Sequence, residues 1–190
     1  MFIFSKFSLI LLFRIFASAN AAHSEVPLEI KGIHLGISEE DLMKITPKVE
    51  CKKSETLNAD ALCALQKFDD IPSSMETIGS AKVLGYDFYF LNNRLGTIVV
   101  HFWSRDFTAT IAAFEEKFGK PKSTSTVVQN KLSAKYENHK FSWPRKNEFI
   151  EIEEFLEDMD HSFIMLRSAE YKKELDIRLK QKIKKDAQNL

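Results

Sequence analysis

The stretch VLGYDFYFLNNRLGTIVVHFW, residues 83–103, decides what kind of fold this 190-residue chain adopts. Apolar or small residues occupy every second position on both sides of a central asparagine pair. They are Leu84, Tyr86, Phe88 and Phe90 before the pair, and Gly96, Ile98, Val100 and Phe102 after it. This alternation is typical of half-buried strands, and asparagines tolerate the positive φ of a tight turn. We therefore predict a β-hairpin over residues 83–103.

The residues between those positions must point to the other side of the hairpin, because successive strand side chains alternate between faces. Tyr89, His101 and Trp103 fall in this second set. We predict that they form an exposed surface that binds a partner. For His101 taken alone, a surface histidine with no role is the favoured interpretation.

A helix is predicted after the hairpin, over about residues 106–118. Phe107, Ile111, Phe114 and Phe118 recur at helical spacing. Ser104 or Asp106 is expected to cap it, and Gly119 with Pro121 is expected to end it. We expect the phenylalanine stripe to pack on the apolar face of the hairpin, although such a stripe also suits a ligand groove.

In the second half of the chain, the sequence pattern predicts a three-stranded segment over about residues 132–168 and a final helix over 169–187. AKYENHKFSW and EFIEIEEF form two strands joined by the turn PRKN, and HSFIMLRS forms the third. Tyr171, Leu175, Leu179 and Ile183 then follow at four-residue intervals. The plan is α+β with an antiparallel sheet covered by helices. Residues 22–190 are expected to form a single domain, built from two similar halves that share one core.

The amino terminus predicts export. MFIFSK carries one cation, residues 7–13 are apolar apart from Ser8, and Ala19-Asn20-Ala21 fits a signal-peptidase site. We expect residues 1–21 to be a signal peptide cleaved after Ala21, which places the protein in the periplasm of a Gram-negative bacterium. The alternative is a retained membrane anchor, but the run is too short to span a bilayer and Arg14 interrupts it. We expect no stable membrane insertion after cleavage.

The two cysteines, Cys51 and Cys63, are predicted to form a disulfide, because an oxidising compartment preserves such bonds and only one intramolecular pairing exists. Free thiols and a metal site are the alternatives. A zinc site needs further ligands, and the five histidines are scattered singly. The C-x-x-C motif of thiol oxidoreductases is absent.

The net charge of the mature chain and the absence of known catalytic motifs argue against several classes of function. Loss of Lys6 and Arg14 with the leader leaves 25 cations and 27 anions, a balance that gives no support to nucleic-acid binding. The acidic run between Glu148 and Asp160 is either a cation site or, as we favour, a solvated sheet face. The sequence has no G-x-S-x-G, H-E-x-x-H, P-loop or G-x-G-x-x-G motif, so we assign no catalytic residue, metal or cofactor.

Three segments resemble a known family. GIHLGISEEDLMKITP (32–47), FYFLNNRLGTIVVHF (88–102) and FEEKFGKPKS (114–123) are similar to patterns in small exported proteobacterial proteins of the BamE (SmpA) type. The resemblance implies a helical pair on a three-stranded antiparallel sheet, with Gly32, Gly36 and Gly119 at turns and Leu35 and Leu42 in the core. BamE is a lipoprotein of the outer-membrane assembly machine. This chain has no cysteine for lipidation, so the partners of BamE are not expected to transfer.

Three classes of function remain. The first is a non-catalytic periplasmic protein that binds an envelope protein, with a role in cell-envelope assembly or maintenance. The second is an inhibitor or immunity-type protein, and the third is an unrecognised hydrolase. We rank them in that order, because no cluster of catalytic groups can be assembled from the sequence.

Overall fold

A computed structural model describes residues 28–66, 71–129, 133–155 and 159–188. The predicted leader, residues 1–21, lies outside the described residues. In chain order the elements are β1 (Glu29–Ile30), β2 (Ile33–His34), α1 (Glu39–Ile45), β3 (Glu50–Lys53), β4 (Ala61–Leu65), β5 (Thr77–Ile78), β6 (Ala81–Leu91), β7 (Arg94–Trp103), α2 (Phe107–Phe118), β8 (Lys122–Gln129), β9 (Lys135–Pro144), β10 (Glu148–Glu153), β11 (His161–Ser168) and α3 (Ala169–Ala187). Short 3₁₀ turns lie at Ser73–Met75 and Ser104–Asp106.

One antiparallel sheet dominates the molecule and confirms the predicted α+β class. Its strand order is β3-β4-β6-β7-β11-β10-β9-β8, with β5 paired to β6, while β1 and β2 form a separate small hairpin. Strands β3, β4, β6 and β7 and strands β8 to β11 are two meanders that meet where β7 pairs with β11, and each meander is followed by a helix. The sheet has nine strands, far more than the three that the BamE-type resemblance implies.

The predicted hairpin is β6–β7. Asn92 and Asn93 hold φ values of 52° and 57°, as the two-residue turn requires. The expected alternation is wrong at both ends, because β-bulges shift the register between Val83 and Gly85 and between Tyr89 and Phe90. Val83 and Leu95 are therefore buried in the core in place of Leu84 and Gly96.

The core lies on one side of the sheet. Buried residues of β6, β7, β10 and β11 form a single cluster with residues of α1, α2 and the β1–β2 hairpin, including the fully buried Leu42. Gly32, Gly36 and Gly119 adopt positive φ at turns, and Leu35 packs against this cluster.

Helix α2 covers the core side, as predicted, but its rings lie over the second meander. Phe107 contacts Phe141 and Phe114 contacts Trp143, both with ring centroids 5.9 Å apart. Trp143 Nε1 also donates a hydrogen bond to the carbonyl of Gly119 at 2.6 Å. Neither expected residue caps α2 with its side chain: Asp106 occupies the cap position without a hydrogen bond, and Ser104 Oγ donates to the carbonyl of Met159.

The predicted three-stranded segment is present as β9, β10 and β11, and the final helix has the predicted bounds. Ser168 caps α3 by accepting a hydrogen bond from the Tyr171 N–H. Sequence analysis missed the outer strands of both meanders, namely β3, β4 and β8.

Candidate functional site

The side of the sheet opposite the core is the candidate site, and we call it the open face. It is defined by the residues that alternate with core positions on four adjacent strands. They are Asp87, Tyr89, Thr97, Val99, His101, Trp103, His161, Phe163, Met165, Arg167, Phe149, Glu151 and Glu153. Among the described helices, only the first turns of α3 reach this face, where Tyr171 lies against Gly96 and Arg167. Tyr89, His101 and Trp103 therefore share one face, but all three are only partly exposed, whereas the sequence predicted an exposed surface.

A histidine–carboxylate pair occupies the middle of the open face. His101 Nε2 lies 2.9 Å from Asp87 Oδ2, with side chains only 24% and 13% exposed, so His101 is less exposed than the sequence suggested. Gln66 Nε2 donates to the other oxygen of Asp87 at 3.4 Å. Among the described residues, no hydroxyl or thiol is hydrogen-bonded to His101.

An aromatic stack extends the site toward the end of β7. The rings of Trp103 and His161 lie 5.0 Å apart and 25° from parallel. The guanidinium of Arg105 lies 5.5 Å from the Trp103 ring, within cation–π range. Trp103 remains partly exposed, so it presents a rigid aromatic surface whose orientation is set by its neighbours.

The opposite end of the open face is closed by tyrosines and an arginine. Arg167 Nε donates to Thr97 Oγ1 at 3.1 Å, and the guanidinium lies 5.9 Å from the ring centroid of Tyr171. Burial, assisted by the negative charge of Asp87, raises the pKa of Tyr89 against the opposing effect of Arg167. Tyr89 is therefore a neutral phenol at physiological pH.

In the described part of the acidic run, Glu151 and Glu153 lie on the sheet face opposite the core, but their side chains are only 22% and 21% exposed, so this face is less solvated than predicted. Ile150 and Ile152 are fully buried, whereas Glu151 and Glu153 each lie 3.0 Å from Lys140 Nζ on the open face. Burial lowers the pKa of Lys140, but its hydrogen bonds to Glu153 and Glu151 outweigh this and raise the pKa overall. Two members of the run, Glu157 and Asp158, lie outside the described residues.

The cysteines form the predicted disulfide. Cys51 and Cys63 are directly opposed on β3 and β4, with Cα atoms 3.9 Å apart. In the described chain, the one cluster with metal-ligand spacing consists of these two cysteines and Glu39. Because the sulfurs are bonded to each other, they are not available as thiolate ligands.

Three important residues of the open face were missed by sequence analysis: Asp87, His161 and Arg167. Asp87 carried a signal, because a carboxylate between Tyr86 and Phe88 in an aromatic strand needs a partner. His161 and Arg167 reach the site only through the pairing of β11 with β7, which no local pattern reveals.

Comparison with protein-family models, curated protein sequences and solved structures finds no match for this chain. Among the described residues, none of the helices combines the length and apolar character needed to cross a membrane.

Proposed function

We propose that this chain is a non-catalytic periplasmic protein that binds another protein of the cell envelope through its open face. The observation that supports this most directly is that Tyr89, His101 and Trp103, from two strands, lie together on one side of the sheet and each keeps part of its side chain exposed to solvent.

The composition of the open face suits a protein interface. Tryptophan, tyrosine and arginine dominate interface hot spots. Here the Trp103 ring stacks on His161, and Arg167 is close enough to Tyr89 to affect its pKa. Phe163 and Met165 lie between these residues but are each only 8% exposed, so the partly exposed rings of Tyr89, His101 and Trp103 supply the contact surface. The Lys140 ion pairs lie at the margin, where polar groups form the rim of a typical interface.

Two further features support a role in the envelope. The disulfide suits an oxidising compartment, as does the leader pattern of residues 1–21. The resemblance of residues 32–47 to exported BamE-type proteins supports a role in cell-envelope assembly or maintenance.

The experiment is site-specific photo-crosslinking in the native envelope. A benzophenone amino acid is placed at Trp103 in one strain and at Tyr89 in another, because both side chains are aromatic and partly exposed. We expect both positions to yield one common adduct, which mass spectrometry identifies. The purified partner should then bind the Trp103→Ala variant at least about tenfold more weakly than the original chain.

The matched control is the same amino acid at Ala112, an exposed position on α2, which covers the core side of the sheet. An adduct that appears equally from position 112 would point to chance proximity. If the Trp103→Ala variant binds the identified partner with unaltered affinity, the proposal is contradicted.

A further inference from the structure

The two edges of the sheet differ in how they are protected. Strand β3, at one edge, is four residues long, carries Lys52 and Lys53, and is tied to β4 by the disulfide. Strand β8, at the other edge, is eight residues long and reads KSTSTVVQ. Short length and charge are two devices that prevent edge strands from pairing with other chains. Edge β3 has both, whereas β8 is twice as long and its only charge is Lys122 at its first position.

Strand β8 is well formed for pairing. Its eight residues pair with β9 in one continuous register, from Lys122 opposite Ser142 to Gln129 opposite Lys135, without a bulge. Among the described strands β9 is its only partner, so the outward backbone groups of β8 meet no other described strand. All of its side chains except Val128 are exposed to solvent, and Val127 is 69% exposed.

The sequence of β8 makes this edge a template for strand addition. It contains no proline, its one charge is Lys122 at the first position, and four of its eight residues are β-branched. Threonine and valine favour strands. A regular, nearly uncharged edge of this length is a hazard for a secreted protein unless another strand covers it.

We propose that β8 pairs antiparallel with β8 of a second copy of this chain, so that two sheets join into one across a two-fold axis. This inference is independent of what the open face binds. It makes the functional unit a dimer in which the open faces of both copies lie on the same side of a continuous sheet.

Symmetry limits the register of that pairing. A closed dimer of antiparallel edge strands requires the two-fold axis to be perpendicular to the sheet, so each face continues across the junction. Residues directly opposed across the junction must then come from the same face of the sheet. Two registers near the middle of β8 satisfy this: in one, Thr126 lies opposite Thr126 of the second copy, and in the other, Ser125 lies opposite Ser125 of the second copy. With Thr126 at the centre, Ser125 lies opposite Val127 and no like charges meet within the described strand.

The edge itself favours a second copy over a foreign peptide. Strand addition to a foreign peptide gains specificity from pockets that receive alternate side chains. The described side chains along β8 are mostly short serines, threonines and valines exposed to solvent, which offer little depth for such pockets. A second copy needs no pocket, because an identical edge supplies the complementary donors and acceptors by symmetry.

The test is a charge-pair experiment on the full gene product, exported with its own leader and purified from the periplasm. Analytical ultracentrifugation over the micromolar range should show a monomer–dimer equilibrium for the original chain. Ser125→Lys/Thr126→Lys and Ser125→Glu/Thr126→Glu should each be monomeric, because both central registers place like charges together. An equimolar mixture of the two variants should recover a dimer.

The matched control is Ala109→Lys/Ala112→Lys, which adds the same charge at exposed positions on α2 and should still dimerise. Circular dichroism confirms that all variants are folded. A monomeric original chain, or a dimer that persists in the lysine variant, overturns the proposal. The proposal would also be overturned if the original chain is a monomer and mutation of β8 abolishes its binding to an envelope protein, because the edge would then pair with that protein.

Discussion

Gly96 and Tyr171 form a contact in which the absence of a side chain is structurally necessary. Gly96 lies at the bulge of β7, and a Cβ atom built there would sit 1.8 Å from Cδ2 of Tyr171. The Tyr171 hydroxyl donates a hydrogen bond to the carbonyl of Asn58 across the end of the sheet. The glycine thus allows the first turn of α3 to pack on the sheet backbone.

Substitutions of Gly96 and Tyr171 should therefore have strongly coupled effects on the free energy of unfolding. We expect Gly96→Ala to lower the free energy of unfolding by about 2 kcal/mol or more, because the ring of Tyr171 must leave its site. Tyr171→Ala should cost about 3 kcal/mol through the lost burial and the cavity. In urea unfolding, the double variant should cost clearly less than the sum, because the new methyl group occupies space vacated by the ring. Additive losses would show that the two residues do not share this site.

At the scale of elements, α3 is held at its beginning and is exposed toward its end. Tyr171 is its only buried residue, and Leu179 and Ile183 are 49% and 59% exposed. Arg178 provides the second anchor, with Nη1 2.7 Å from Asp60 Oδ1. Asp60 also accepts a hydrogen bond from the N–H of Asn92, so this carboxylate links α3 to the tip of the β6–β7 hairpin.

The anchor at Asp60 predicts acid sensitivity. Hydrogen bonds from Arg178 and then from the Asn92 N–H hold the pKa of Asp60 below its ordinary value. Because the folded-state pKa lies below the unfolded value of about 3.9, the contribution to stability is complete above about pH 5 and is lost as the pH falls through the folded pKa. Asp60 is partly exposed, so the whole effect should be below about 1 kcal/mol.

The measurement is the stability difference between the original chain and Asp60→Asn as a function of pH. This stability difference should be constant near neutral pH and should vanish in acid. Hydrogen-exchange protection in the first turns of α3 should be lost over the same pH range. Asp186→Asn, in an exposed pair with Lys182 near the end of the same helix, is the control and should leave stability nearly unchanged at every pH. A difference that grows in acid would contradict the assignment.

The elements also show why part of this fold could be predicted from sequence and part could not. Apolar residues recur at strand spacing in the β6–β7 hairpin and at helical spacing in α2, so these two elements are visible in the sequence. Strand β8 is exposed on both faces and has no period to detect. The alternation placed Tyr89, His101 and Trp103 on one face, but their neighbours from β11 depend on a strand pairing between residues 58 to 70 positions apart.

At the scale of the whole molecule, the sheet is closed at one edge by a covalent bond and open at the other. The Cys51–Cys63 bridge spans twelve positions and fixes the short strand β3 to β4. Strand β3 pairs with β4 over only four residues, and the partly buried Cys51 is the one residue of β3 that packs against the core. The β3 edge therefore depends on the disulfide, and through it on the compartment in which the chain folds.

This dependence gives a prediction for the whole chain. The exported protein should begin at Ala22 and show no titratable thiol, because residues 1–21 are predicted to be removed and the cysteines joined in the periplasm. A version without the leader, made in the reducing cytosol, should carry two free thiols. Its free energy of unfolding should be about 3 kcal/mol lower, since a bridge of this loop length restricts the unfolded chain by that amount.

Intact mass spectrometry with thiol labelling measures the first outcome, and urea unfolding before and after oxidation measures the second. Cys51→Ser/Cys63→Ser is the control, because its stability should match the reduced chain and should not respond to oxidant. Recovery of the original chain with its first methionine and both thiols free would contradict export. An oxidised chain no more stable than the serine variant would instead show that β3 holds its place through backbone pairing alone, which its four residues at a sheet edge make difficult.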